Sequence, residues 1–266
     1  MSVRVLITGA AGSIGEATVA MLRSRGATVV GLDLGADDAA EVIACDVRDQ
    51  ASVDGAVADA VKRLGGGLDV LINNAGLGDP QSAGEAPYAT AQAVLDVNLM
   101  GPWRMTSAAL PALRHARGRV INVASGLAHL AIPYGTAYCM SKRGLVAYSD
   151  ALRLEYGGEI DVTTVYPGYI RTQIHAASEA AGFGLEGVVP PEDVADAART
   201  LVRAALDEPV RDLATTRRGT VNYALARHTP RRLMDRVISG RLRQLARRGH
   251  FDSSTVAGEL VARLRA

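Results

Sequence analysis

The strongest constraint on the fold of this chain is an alternation. Short Val- and Ile-rich runs at 3–9, 28–33, 42–46, 68–76, 118–125 and 160–168 read as strands, and most stop at Gly, Asp or Ser. Stretches with helical periodicity lie between and after them, at 13–25, 51–64, 89–114, 136–156 and 191–207. Strands without polar alternation are buried on both faces, and strand-helix-strand repeats of this length require a parallel sheet with helices on both sides. The expected class is α/β, a doubly wound parallel sheet. Ligands of such sheets bind beyond the carboxyl ends of the strands, so the ends of these runs are where chemistry is sought.

The first run ends in "TGAAGSIG", Thr8 to Gly15. Gly9, Gly12 and Gly15 allow a tight turn and a close backbone approach to a pyrophosphate at a helix N-terminus. The second run ends at Asp33, 18 residues after Gly15. A carboxylate there accepts from both hydroxyls of an adenosine ribose and repels a 2′-phosphate; a helix-capping role is the plainer alternative. No basic residue stands in "TGAAGSIG" or "DLGADDAAE", so NAD is expected over NADP. The helix at 136–156 carries Tyr138 and Lys142 one turn apart, on one face. With 29 basic residues, only Lys62 and Lys142 are lysines. A compact ammonium beside a phenol lowers the phenol's pKa in a way that a guanidinium does poorly. Tyr138 is thereby a candidate general base.

With "NNAG" (73–76), "LDVNLMG" (95–101), "NVAS" (122–125), "YCMSK" (138–142) and "YPGYIRT" (166–172) following in order, the chain resembles the short-chain dehydrogenase/reductase family over residues 3–205. Its length and its motifs resemble the shorter branch, of about 250 residues. One departure is that Ser13 stands where that branch usually has glycine. The resemblance implies a Rossmann-type single domain and a nicotinamide cofactor. Tyr138 would be the acid/base, Lys142 would hold the nicotinamide ribose and lower the phenol's pKa, and Ser125 would bond the substrate oxygen. Asn98 would hold a relay water, with capping or kinking a helix as its alternative. It also implies Ser13 and Ile14 at the pyrophosphate, Asp46 and Val47 flanking adenine, and Asn74, Ala75 and Gly76 on the floor. Pro167 and Gly168 would border the cofactor, and after them the Ile170 amide and the Thr172 hydroxyl would fix the carboxamide. Ser141 and Cys139 read as packing residues. His129 and His175 lie in loops that substrates approach, although most loop histidines are only solvated. Enoyl reductases of the family space Tyr and Lys more widely, so alcohol or ketone chemistry is expected. A homodimer or homotetramer through the helices at 89–114 and 136–156 is implied as well.

Composition narrows the remaining choices. At 266 residues and 48% apolar content, one large domain is expected, with residues 1–208 as the catalytic unit and 209–266 as a helical extension packed on it. The first residues lack the signature of a signal peptide, and Cys45 and Cys139 form no C-x-x-C. A cytoplasmic location follows. Five scattered histidines give no metal site. The stretch 173–191 is rich in small residues and lacks Arg and Lys, which suits a neutral, mainly apolar alcohol or ketone. From Pro209 onward there are 13 arginines and four acids, whereas the chain as a whole carries only +1. The acidic main body argues against nucleic acid. In the tail, 219–225 reads as a last strand and Thr229-Pro230 as a helix start. On that helix Leu233, Val237, Ile238, Leu242 and Leu245 take one side, and a second short helix follows Ser253-Ser254. Packing over the pocket or a neighbouring subunit is favoured for this tail, ahead of an anionic membrane surface or a solvated face. Two rivals remain: a non-catalytic NAD-binding sensor, and an epimerase or dehydratase with transiently reduced NAD.

Overall fold

The computed structural model describes residues 2–37, 41–183 and 191–266; parts of the 33–41 and 173–191 stretches lie outside them. Seven parallel strands form one sheet in the order β3-β2-β1-β4-β5-β6-β7. They are β1 (Arg4–Thr8), β2 (Thr28–Asp33), β3 (Val42–Ala44), β4 (Val70–Asn73), β5 (Arg119–Val123), β6 (Asp161–Tyr166) and β7 (Asp212–Ala214). The helices begin with α1 (Ser13–Ser24), α2 (Gln50–Arg63), α3 (Ala89–Leu95), α4 (Gly101–Ala116) and α5 (Thr136–Tyr156). They continue with α6 (Ala176–Ala180), α7 (Val194–Leu206), α8 (Arg217–His228), α9 (Arg231–Arg247) and α10 (Gly258–Arg265).

Side chains of a strand alternate between faces, and the core divides accordingly. Leu6, Val30, Leu71 and Val120 pack with α2 and α4, through Val53, Val57, Met105 and Leu113. Val5, Ile7, Val29, Val70, Ile72 and Ile121 face α1 and α7, through Leu22, Leu201 and Val202. Both faces are covered, as the unbroken apolar strands require. The strand order reverses between β1 and β4, and this opens a crevice where Gly9 and Asn74 emerge.

Two elements depart from the sequence reading. The expected helix at 89–114 is interrupted by one turn of π helix, Asp96–Met100. Pro102 has no N–H, so the Asn98 carbonyl lacks the donor four residues on that an α-helix would supply. The expected strand at 219–225 is instead part of α8. The Thr216 hydroxyl accepts from the Gly219 amide and caps that helix, while Asp212–Ala214 pairs with Thr164–Tyr166 at the sheet edge.

Helices α9 and α10 form a hairpin with its own small core. Phe183, Leu242, Leu245, Ala246, Phe251, Ala257 and Val261 are buried together. The hairpin is tied to the segment after α6 by the Thr255 amide and the Ser254 hydroxyl, which donate to the Ala181 carbonyl at 3.1 and 3.0 Å. The apolar side of α9 is only half covered, because Leu233 and Val237 are 51% and 59% exposed. A helix of eight residues is roughly 12 Å long against roughly 25 Å for seventeen, so α10 reaches only the C-terminal half. Phe251→Ala is expected to cost about 3–5 kcal/mol locally. Amide hydrogen exchange checks this: α9 and α10 exchange faster, while β1, β4 and β5 keep their protection.

Candidate active site

The Gly9 loop is shaped by close approach. Gly9 has φ +67°, and a Cβ there would stand 2.9 Å from Ala75 Cα. A Cβ on Gly15 would overlap the Gly9 carbonyl oxygen, so Gly15 lies behind the loop and does not line the cleft. Gly12 is the N-cap of α1 and provides no side-chain cap. Ser13 and Ile14, which open α1, line the cleft, and the first amides of a helix have no intrahelical acceptor. The Thr8 hydroxyl accepts from the Asn74 and Ala75 amides, both at 3.0 Å, and Asn74 Nδ2 donates to the Thr8 carbonyl at 3.0 Å. The ends of β1 and β4 are thereby joined.

Asp33 stands at the end of β2, where its carboxylate accepts from the Ala11 and Leu34 amides, each at 2.8 Å. The carboxylate of Asp46 is bound to the Arg48 guanidinium at 2.7 Å, which holds its pKa below the usual range. Val47 is buried beside it against Gly101. Gly76, Pro167, Gly168, Ile170 and Thr172 complete the opposite side of the same cleft, whose volume is about 440 Å³, in the size class of cofactor sites. Uncapped helix amides, a glycine turn and a ribose-side carboxylate fit a nicotinamide dinucleotide.

Ser125, Tyr138 and Lys142 line the same cleft. Ser125 follows β5, and its Oγ accepts from the Leu127 amide at 3.2 Å. Lys142 is 3% exposed, and its Nζ donates to the Val123 carbonyl at 2.8 Å. Desolvation pulls its pKa down to about 8. Its Nζ lies 5.7 Å from the centroid of the Tyr138 ring. Burial pushes the Tyr138 phenol up to about 12, against a hydrogen-bonding contact with Ser125 that lowers it. The phenol is therefore protonated at neutral pH and presents a proton to an oxygen in front of it.

Asn98 does not line the cleft. Its Nδ2 donates to the Leu77 carbonyl at 2.8 Å and its Oδ1 accepts from the Leu77 amide at 2.7 Å. This side chain clamps the loop after β4, and the π turn aims it there. Nδ2 also donates to Ser141 Oγ at 3.1 Å, so Ser141 positions Asn98 as well as packing. The sequence also gave no role to Glu192. Its carboxylate accepts from the Gly168 amide at 2.9 Å and from the Thr215 and Thr216 hydroxyls. No local pattern connects residues 24 apart, and only the fold makes them neighbours.

Beyond Tyr138 the cleft continues into a recess lined by Leu127, Ile132, Pro133, Tyr134, Ile174 and Phe183, with Asp79 and His175 as its carboxylate and imidazole. Burial lowers the pKa of His175. His129 lies elsewhere, with its ring against Tyr166 and Tyr223 at 5.5 and 5.2 Å.

The Lys142 values imply a pH dependence of stability. Unfolded, the lysine keeps its proton to about pH 10.5; folded, it releases it near 8. Between those values the unfolded state binds more protons, so stability rises with pH. The gain is about 3 kcal/mol at 1.36 kcal/mol per unit. Denaturant unfolding between pH 7.5 and 10.5 is expected to show this rise in the wild type and its loss in Lys142→Met.

The comparisons agree with this geometry. The family model described as short chain dehydrogenase matches residues 3–181. D-threitol dehydrogenase of Mycolicibacterium smegmatis is 34% identical over 216 residues, covering 73% of this chain and 83% of that enzyme. Human retinol dehydrogenase 5 is 40% identical over 187 residues, covering 64% of this chain and 57% of its own length. A short chain dehydrogenase from Burkholderia cenocepacia, solved with NADP, superposes with a TM-score of 0.74 at 26% identity, over 90% of this chain and all of that one. The ligand-free aldohexose dehydrogenase of Thermoplasma acidophilum shares the fold at a TM-score of 0.72 and 22% identity, covering 80% of this chain and 92% of that one. With its parallel sheet, glycine turn and Tyr138–Lys142 pair, this chain belongs to the short-chain dehydrogenase family, oxidoreductases that act on CH–OH groups.

Proposed function

We propose that this protein is an NAD(H)-dependent dehydrogenase interconverting a secondary alcohol and a ketone on a neutral, mainly apolar substrate. The observation that carries the reading is the convergence of Ser125, Tyr138 and Lys142 in the same cleft as the Gly9 turn and Asp33. When bound, the cofactor supplies hydride exchange at its nicotinamide. In oxidation the carbinol hydrogen leaves as hydride, the C=O bond forms, and the hydroxyl proton passes to the phenolate form of Tyr138, whose own proton has first left to solvent. In reduction the Tyr138 phenol returns that proton to the carbonyl oxygen while Ser125 Oγ bonds the same oxygen. Lys142 uses one N–H on Val123, which leaves two donors for ribose hydroxyls.

Asp33 supports NAD over NADP, since a carboxylate at the ribose repels a 2′-phosphate. The NADP-bound relative makes this a point to measure directly. Among the described residues no Arg or Lys lines the recess, which supports a neutral substrate, although D-threitol and retinol, named for two relatives, differ widely in polarity. The two cysteines are buried and unpaired, and no helix among the described residues is long and apolar enough to cross a membrane. A cytoplasmic location is proposed with the rest.

NADH absorbance with a panel of neutral secondary alcohols tests the reading. Tyr138→Phe is expected to lower kcat by about 10²–10⁴ and to leave NAD affinity within a few-fold. NAD is expected to bind at least about tenfold more tightly than NADP, or 1.4 kcal/mol; equal affinities would remove the Asp33 argument. A homodimer or homotetramer through α4 and α5 is also proposed. Trp103 is 53% exposed and stacks on Tyr148 at 5.5 Å, with Met100 open in the same groove. Sedimentation velocity at micromolar concentration is expected to show an oligomer that Trp103→Glu dissociates.

A further inference from the structure

Tyr134 has φ +58°, a backbone region in which a bulky side chain is a steric outlier. Such residues persist where their surroundings over-determine them, and they gather at ligand clamps. Here the surroundings are specific. The Tyr134 carbonyl accepts from the Gln81 amide at 2.8 Å, and its ring meets Phe183 edge-on with centroids 4.9 Å apart. Phe183 in turn stacks on Phe251 of the C-terminal hairpin, also at 4.9 Å.

Tyr134 borders two spaces. The recess at Tyr138 measures about 40 Å³. Since one water-sized group needs roughly 10–15 Å³, it accepts a carbinol carbon with its smallest substituents. Behind Tyr134 lies a groove of about 950 Å³ between residues 82–85, residues 131–143 and the α9–α10 hairpin. Ile132, Pro133 and Tyr134 line both spaces. The hairpin contributes Ile238, Leu242 and Leu260 to the groove. Its acidic and basic groups nearly balance, with Glu85, Asp235 and Glu259 against Arg143 and Arg263.

We propose that the substrate is elongated, with its carbinol in the recess at Tyr138 and its apolar remainder extending past Tyr134 into the groove beneath the C-terminal hairpin. Tyr134 is the gate between the two compartments. This rests on the dehydrogenase reading for what happens at the carbinol. The occupant assigned to the groove is the distal part of the substrate, because only Ile132, Pro133 and Tyr134 among the described lining residues separate it from the small recess that takes the reacting end. Each added methylene in the groove removes apolar surface from water, so affinity grows with chain length.

The test compares 2-butanol with 2-decanol, by calorimetric binding to the NAD-loaded protein and by NADH formation. The wild type is expected to prefer 2-decanol at least tenfold in both affinity and kcat/KM. Leu260→Trp fills the groove and is expected to cut that preference at least fivefold; Ile238→Trp repeats the test should Leu260→Trp fail to fold. Tyr134→Gly keeps the backbone angle, removes the ring and is expected to raise the preference. Val221→Trp, which adds the same bulk at an exposed position of α8, is expected to leave it unchanged. Equal binding of the two alcohols, or a preference that both tryptophans leave intact, overturns the proposal. Tighter binding of 2-decanol without NADH formation supports the groove and removes the dehydrogenase reading.

Discussion

Lys142 Nζ, buried at the end of β5 and held 2.8 Å from the Val123 carbonyl, sets a condition that the surrounding structure has to meet. A charge removed from water costs several kcal/mol unless polar groups are fixed around it. The helix that carries Lys142 also carries Tyr138 one turn earlier and Ser141 one residue earlier. Through Ser141 it reaches Asn98, and through Asn98 both backbone groups of Leu77. Leu77 follows Asn74 and Ala75, whose amides hang on the Thr8 hydroxyl beside the Gly9 turn. A line of side-chain hydrogen bonds thus runs from α5 through the π turn to the ends of β4 and β1. The carbonyl that fixes the lysine belongs to β5. Three strand ends are set relative to one helix before any ligand arrives, and this is the preorganisation that a proton-transfer site needs.

The sheet was legible because its signal is local and repeated. Val5 and Ile7 against Leu6 is a pattern of period two that neighbouring strands echo, and each run ends where the chain must turn. The cleft was legible because glycine, aspartate and the Tyr-Lys pair each have few physical reasons to stand where they do. Features that depend on a single residue's effect on register were harder to read. Pro102 shifts the helix register by one position and turns Asn98 toward Leu77, yet in sequence it looks like an ordinary early-helix proline. Thr220 and Val221 gave 219–225 the look of a strand, while the Thr216 cap, three residues ahead of Gly219, decided for a helix. The environment of Tyr138 was harder to read for a different reason. Spacing shows that an ammonium is near, but only the fold shows that the ring also packs against Ala91, Val94 and Ala137.

The C-terminal hairpin makes the recess and the tail one structural problem. Two short helices joined by a turn are marginal on their own, and this pair completes its core with Phe183, a residue of the catalytic unit. Phe183 and Tyr134 are also walls of the recess. Whatever stabilises the hairpin therefore sets the shape of the space in front of Tyr138. The arginine excess fits the same economy of contacts. Arg265 donates to the Ala246 carbonyl at 2.8 Å and pairs with Asp252, bracing the hairpin from outside. Arg227 bonds Tyr223 and Asp212 at 2.7 and 3.2 Å, holding α8 against the sheet edge. A lysine could supply the charge at these places but not the planar fork of donors. The chain therefore uses arginine for bracing and reserves Lys142, one of its two lysines, for the one buried position where a compact, titratable cation does the work.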